Sequence, residues 1–197
     1  MWQRFIPWCA ALLAFQAAAL TDQVPSTPHT SRVLVELGDD SIPLAISERW
    51  VGATAIEMAA ECVIPRPAEA VWDVLSDYNH LAEFIPFLTE SHVVRHEGTA
   101  QILHQRGRVS FLVFHRGFWM TFHVEEMPPY DIRFEAFEGD FKQFKGVWHL
   151  EAHSDGTLVR HKVLVEPAFF IPRWIRRIMA RHILLTSLEG VIRRCMR

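Results

Sequence analysis

Six strand-like segments follow one another between Thr89 and Glu166 with no helical period among them: Thr89–Glu97, Ala100–Phe111, Val113–Glu126, Asp131–Glu138, Phe144–His153 and Thr157–Glu166. Gly98, Pro128-Pro129, Gly139-Asp140 and Ser154-Asp155-Gly156 punctuate them, residue types that turn a chain rather than extend it. The pattern changes after Pro167. Pro172–Arg194 carries apolar residues at helical spacing, with Ile175, Ile178, Leu185, Leu188 and Ile192 as its expected apolar face. A sheet of this many strands twists and curls, and one long amphipathic helix can fill its concave side. The predicted class is α+β: a curved antiparallel sheet wrapped around a C-terminal helix.

Upstream, Val51–Ile64 alternates, with Ile56, Met58, Ala60, Cys62 and Ile64 on one side and Glu57 and Glu61 on the other, which predicts a half-buried strand. Pro65 and Pro67 end it. Val71, Val74, Leu75 and Tyr78 then fall on one face of a helix opening at Pro67. Asp77–Phe84 predicts a second short helix stopped by Pro86, and Arg32–Leu37 a short strand before a turn at Gly38-Asp39-Asp40. The polar, proline-bearing residues 20–31 form an expected linker, so the folded domain is expected over 32–197.

The first 19 residues have the layout of a secretory signal peptide: Arg4, a short apolar run from Phe5 to Phe15, and the small residues Ala17-Ala18-Ala19 before Leu20. Cleavage after Ala19 and export to the periplasm are the expectation, an uncleaved anchor the alternative. Cleavage would remove Cys9 and leave Cys62 and Cys195, too few for a disulfide framework but able to form one bridge between strand and last helix. Charge is uneven. From Ile171 onward the chain holds seven arginines, no lysine and one acid, Glu189, for a net +6, against −9 for the remainder. Such a helix either pairs with its own acidic domain or faces anionic lipid headgroups.

Pro67–Leu88, "PAEAVWDVLSDYNHLAEFIPFL", followed by "TESHVV", resembles the opening of the START-like, or Bet v 1-like (SRPBCC), superfamily. It is most similar to the polyketide cyclase/dehydrase branch, which includes the coenzyme Q-binding START-like proteins. "ILHQRGRVSFLVFHRGFWMTFHVEE", "FEGDFKQFKGVWHLEAHSDGTLVRHKVLVEP" and the closing Pro-x-x-x-x-Arg helix are similar to the same branch in the same order. The resemblance implies a helix-grip fold with an elongated hydrophobic cavity between sheet and helix. It implies a ligand such as a sterol, phospholipid or isoprenoid quinone, and in some members cyclisation of aromatic polyketides. The fold hosts many activities, so it names none by itself.

Candidate site residues follow from strand parity. Gln105 falls on the inward face with Leu103 and Val109, Arg116 with Phe118 and Met120, and His161 with Val159 and Val163. Trp148 shares a face with Leu150, and Tyr78 continues the inward stripe of its helix with its hydroxyl capped by a partner. A largely apolar pocket with a few polar groups is how small-molecule sites are usually built. The expected ligand-binding set is therefore Tyr78, Gln105, Arg116, Phe118, Trp148 and His161. Each polar member has a structural alternative: His161 as a hydrogen-bonded core residue, Arg116 paired with a carboxylate or bent outward at Gly117, Gln105 satisfying backbone near Gly107. The expected mouth and membrane contact is Phe84, Phe87, Phe170, Arg173, Trp174, Arg176 and Arg177, apolar side chains beside cations as in an interfacial anchor. Asp77, His80 and Glu83 lie off the inward stripe and are expected at the surface.

No Cys-x-x-Cys, His-Glu-x-x-His, calcium-loop, phosphate-loop, dinucleotide or Gly-x-Ser-x-Gly pattern is present, so no metal, cofactor or catalytic residue is assigned. The acidic body argues against nucleic acid. The leading expectation is an exported binder of a lipid or isoprenoid that exchanges it at a membrane. The alternatives are a cyclase/dehydratase using His161 and Arg116 on a poly-ketone, and an interaction module whose pocket its own side chains fill.

Overall fold

The computed structural model describes residues 29–37, 40–98, 100–111 and 114–197. The leader, the position after Ala19 and the linker through residue 28 lie outside the described residues. Among the described residues nine strands form one antiparallel sheet: β1 (His29–Leu37), β2 (Asp40–Val51), β3 (Ala55–Ile64), β4 (Leu88–Glu97), β5 (Ala100–Phe111), β6 (Phe114–Met127), β7 (Asp131–Gly139), β8 (Phe141–His153) and β9 (Gly156–Pro167). Their spatial order is β1-β2-β3-β9-β8-β7-β6-β5-β4. Helices α1 (Ala68–Ser76) and α2 (Leu81–Phe84), with a 3-10 turn at Tyr78–His80 between them, carry the chain from β3 to the far edge at β4. The long helix α3 (Arg173–Cys195) closes the fold. This is the helix-grip architecture.

Three expectations need correction. The strand β1 begins at His29, inside the expected linker. The sequence reading left residues 41–50 unassigned, yet they form most of β2, with Ile42, Leu44 and Ile46 buried in alternation. Pro43 sits on the exposed face and Glu48 on the buried one, and each blurs the period. The alternation from Val51 to Ile64 is broken by a turn at 52–54, so the half-buried strand starts at Ala55.

The buried face of α3 has the expected period but a rotated phase. Arg176, Met179, Ala180, Leu184, Leu188, Val191, Ile192 and Cys195 point into the core. Of the expected set only Leu188 and Ile192 do, while Ile178 is exposed. The two apolar stripes lie side by side on the helix, and only the sheet's curvature selects between them. The C-terminal half of α3 packs on β3 and α1, where Leu44, Ile64, Leu188 and Ile192 are essentially inaccessible. Each such side chain contributes roughly 1.5–3 kcal/mol over leaving it in water. Arg66 Nε donates 2.8 Å to the Cys195 carbonyl oxygen, and the Thr157 hydroxyl donates 2.7 Å to that of Arg66. A cation on the last carbonyls satisfies groups the helix leaves open and complements its dipole.

Cys62 and Cys195 are both buried free thiols, so the bridge between them is not formed. Burial pushes Cys62 up to about 12, Cys195 adding to the effect, and burial raises Cys195 to about 11 against the opposing charge of Arg66.

Candidate ligand cavity

The concave side of the sheet is filled tightly under the C-terminal half of α3 and less so under the N-terminal half. There a cavity of about 120 Å³ remains. β3 contributes Ile56 and Met58, β6 Phe118 and Met120, β9 His161, Val163 and Val165, and α3 Met179, Ala180 and Leu184. Phe87, Pro167, Phe169 and Ile171 also border it.

Its wall is aromatic. Phe87 and Phe118 have ring centroids 6.3 Å apart, Phe118 and Phe141 5.7 Å, Phe141 and Phe144 5.2 Å, Phe144 and Phe134 6.1 Å, and Phe134 and the His161 imidazole 6.1 Å. Tilted and edge-on contacts at these spacings are favourable for rings with negative faces and positive edges. Sequence parity found Phe118 and His161 but missed Phe134, which lies between Arg133 and Glu135 in β7, and Phe141 and Phe144, whose spacing of three spans an irregularity in β8. The high phenylalanine content was the available signal. Gly107 makes room for the wall: a Cβ there would lie 2.3 Å from the Phe118 ring and 2.6 Å from the Phe87 carbonyl oxygen.

Among the described residues three polar side chains, His161, Arg176 and Ser187, line the cavity. The Ser187 hydroxyl is spent on the Ile183 carbonyl at 2.6 Å. His161 stacks on Trp148 at 3.7 Å, and its Nδ1 lies 3.2 Å from the Val147 carbonyl oxygen. That oxygen can only accept, so Nδ1 carries the proton and Nε2 the lone pair. Desolvation pulls the imidazole down to about 4 despite that bond, so it is neutral at pH 7. Arg176 is buried. It donates through Nη1 to the Thr54 carbonyl and through Nη2, at 3.0 Å, to that of Ile171.

The expected ligand-binding residues divide accordingly. Phe118 and His161 line the cavity. Trp148 supports His161 from behind. Gln105 donates 3.2 Å to the Ser91 hydroxyl, which donates 2.6 Å to the Tyr78 carbonyl, a buried strut between β5, β4 and the 3-10 turn. The Tyr78 hydroxyl donates 2.6 Å to Glu126, and burial together with that carboxylate pushes the phenol well above its ordinary value. Neither Gln105 nor Tyr78 reaches the cavity. Arg116 does not point inward: it is exposed, 3.7 Å from Asp140, its guanidinium 3.8 Å over the Phe169 ring. It covers the cavity's end from outside, because near Gly117 the strand face turns to solvent.

The expected mouth is also redrawn. Phe84 sits at the other end of α3, under Arg194. Arg176 is interior, and Arg177 is tied to the buried Glu48 carboxylate at 2.5 Å. Phe170, Trp174 and Ile178 remain as an exposed apolar stripe, with Arg173 stacked on Trp50 beside it. A groove of about 380 Å³ between β5 and α3 shares Phe87, Val109, Met179 and Ile183 with the cavity. Cavity and groove meet along that shared border. As expected, Asp77, His80 and Glu83 are at the surface, His80 bonded to Asp77 at 2.6 Å. A wider groove of about 690 Å³ on the outer face of the sheet is lined by charges that pair with one another, Lys162 with Glu57 at 3.0 Å and His149 with Asp131 at 2.6 Å. It is a solvated surface.

Proteins of known structure share this arrangement. A STAR-related lipid transfer protein fragment from Xanthomonas axonopodis is 20% identical with a TM-score of 0.65, over 84% of this chain and 99% of that one. The Zhui aromatase/cyclase from Streptomyces sp. R1128 is 14% identical with a TM-score of 0.63, over 73% and 94%. Human StAR-related lipid transfer protein 5 is 11% identical with a TM-score of 0.62, over 84% and 86%. At these identities the likeness is one of fold. No curated protein sequence matches. The family model for polyketide cyclase / dehydrase and lipid transport matches residues 64–191, from the end of β3 through most of α3 and so across nearly every element that borders the cavity. The chain belongs to that family.

Proposed function

We propose that this protein binds a hydrophobic small molecule in the cavity under α3 and exchanges it at a membrane surface. The observation that carries the reading is the apolar, phenylalanine-walled void itself. Core packing normally leaves few spaces larger than a water molecule. A void of about 120 Å³ falls below the roughly 300–1,000 Å³ of drug-sized sites. It is close to the engineered cavity of about 150 Å³ that takes up benzene. It accommodates a ring or a compact branched group, and a longer lipid or isoprenoid would continue past Phe87 and Ile183 into the outer groove.

Phe170, Trp174 and Ile178, with Arg173 at their side, suit insertion at the lipid interface. Among the described residues no helix is long and apolar enough to cross a membrane, so the contact would be peripheral. The leader would bring the protein to the periplasm, and exchange would occur at a membrane facing that compartment. The enzyme alternative rests on His161 facing the cavity. An imidazole held near 4 is a weak base at pH 7, which favours binding over proton transfer.

Native mass spectrometry of the mature protein, purified gently from its own compartment, followed by solvent extraction, tests the reading. Added mass that extracts as a lipid or quinone supports it. An apo mass, together with no flotation on anionic vesicles, refutes it. Turnover of a poly-ketone that His161→Ala abolishes without loss of binding would favour the enzyme.

A further inference from the structure

Among the described residues Arg176 is the one cation in the cavity wall, and it is incompletely satisfied. It is more than nine-tenths buried, in the first turn of α3. Its two terminal nitrogens are used by the Thr54 and Ile171 carbonyls, which carry no net charge. Its Nε–H is buried with no partner. No carboxylate lines the cavity among the described residues, and none forms an ion pair with Arg176. Glu166 feels the charge of Arg176 without bonding to it, and its own oxygens are engaged by the Thr54 hydroxyl at 2.7 Å, Gln143 at 3.0 Å and Lys142 at 3.8 Å.

A guanidinium keeps its charge in any environment, so it cannot escape burial by losing a proton. A buried charge with an unmet donor costs the fold stability unless something supplies an acceptor. Of the cavity's two other polar groups, the Ser187 hydroxyl donates to Ile183 and His161 is neutral. Neither is bonded to the Arg176 Nε–H, and neither supplies a negative charge.

We infer that the ligand is a hydrophobic acid: a compact, ring-sized apolar body carrying a carboxylate that pairs with the Arg176 Nε–H. This rests on the cavity-binding reading above and narrows it. The phenylalanine wall takes the apolar body and the guanidinium takes the oxygen, in the planar geometry that arginine offers carboxylates. A neutral lipid could offer the Nε–H a carbonyl or hydroxyl oxygen but would leave the guanidinium without a counter-charge.

The test uses matched probes, 4-phenylbutyrate and 4-phenylbutan-1-ol, titrated calorimetrically into the full-length protein at pH 7.5. The acid is expected to bind about 10- to 100-fold more tightly than the alcohol, the ratio a charge-assisted hydrogen bond supplies. In Arg176→Met that preference falls to about one while the alcohol still binds. If Arg176→Met does not fold, the wild-type ratio still decides. Equal binding of the two probes overturns the assignment to Arg176 and leaves the cavity reading standing. So does an acid preference that persists in folded Arg176→Met. Failure of both probes to bind the wild-type protein overturns the cavity reading, and this inference with it.

Discussion

Replacing His161 by phenylalanine keeps a ring against Trp148 and removes a titratable imidazole from the cavity wall. The consequence is a change in how stability depends on pH. In the folded protein burial holds the imidazole near 4, against 6.5 for the free side chain. The unfolded chain therefore binds the proton more readily, and acid favours unfolding. The stabilisation is present above about pH 6.5 and is lost as pH falls toward 4. Linkage gives a loss of about 2 kcal/mol between pH 7 and 5 and about 3 kcal/mol by pH 4 from this residue alone. For a domain of this size that is about 4–8 °C in Tm at pH 5. Thermal unfolding of wild type and His161→Phe at pH 7, 6, 5 and 4 measures it, because the surface histidines and carboxylates are common to both and cancel in the difference. The wild type should lose stability more steeply. Parallel curves, or an NMR titration placing His161 near 6.5, would refute the assignment of a dry, neutral imidazole.

Ala180→Leu extends a side chain into the cavity. Stability should stay within about 1 kcal/mol of wild type or rise, and calorimetric binding of ring-sized probes should vanish, whereas retained binding would place the ligand elsewhere. Gly190→Ala puts a Cβ 2.1 Å from the Phe84 carbonyl oxygen, so α2 must move off α3. A loss of about 1–3 kcal/mol in urea denaturation is expected, and an unchanged midpoint would contradict the packing. Arg177→Ala leaves the buried Glu48 carboxylate without its partner. Breaking such a pair costs about 3–5 kcal/mol when both members are buried, and about 2 kcal/mol is expected here because Arg177 is half exposed; adding Glu48→Gln should restore part of it. With Cys9 replaced by serine, Cys62 and Cys195 should resist a thiol reagent at pH 8 until the protein is unfolded, since burial keeps both protonated. Rapid labelling of the native protein would count against their burial.

The boundaries that came out well are those where the period is clean and the punctuation strong. The strand β5 runs from Ala100 to Phe111 as expected, and β4, β7, α1 and α3 fall within one or two residues. Clean alternation, proline and glycine act within a few residues, so the chain itself carries that information. The strand β2 escaped because Pro43 and Glu48 interrupt its pattern, and both are tolerated for reasons outside the strand. Pro43 lies on an exposed face, and Glu48 has Arg177 from α3 to meet its charge.

The candidate site was legible in outline only. Parity named Phe118 and His161 and the phenylalanine content hinted at the wall, but parity also turned Arg116 inward and left Arg176 at the surface. Strand and helix periods say which side chains share a face. They do not say which face the curved sheet turns inward, or how far α3 rotates before it docks. A rotation of one residue's step carried Arg176 from the expected rim into the cavity and Ile178 from the core to the surface. The amino-acid sequence by itself determined the class, the order of elements and the apolar interior, because these follow from local periodicity and turn chemistry. Only the tertiary structure decided that the space under the first half of α3 stays open and that a buried guanidinium borders it. Both depend on how side chains distant in the chain fill, or fail to fill, the concavity of the sheet.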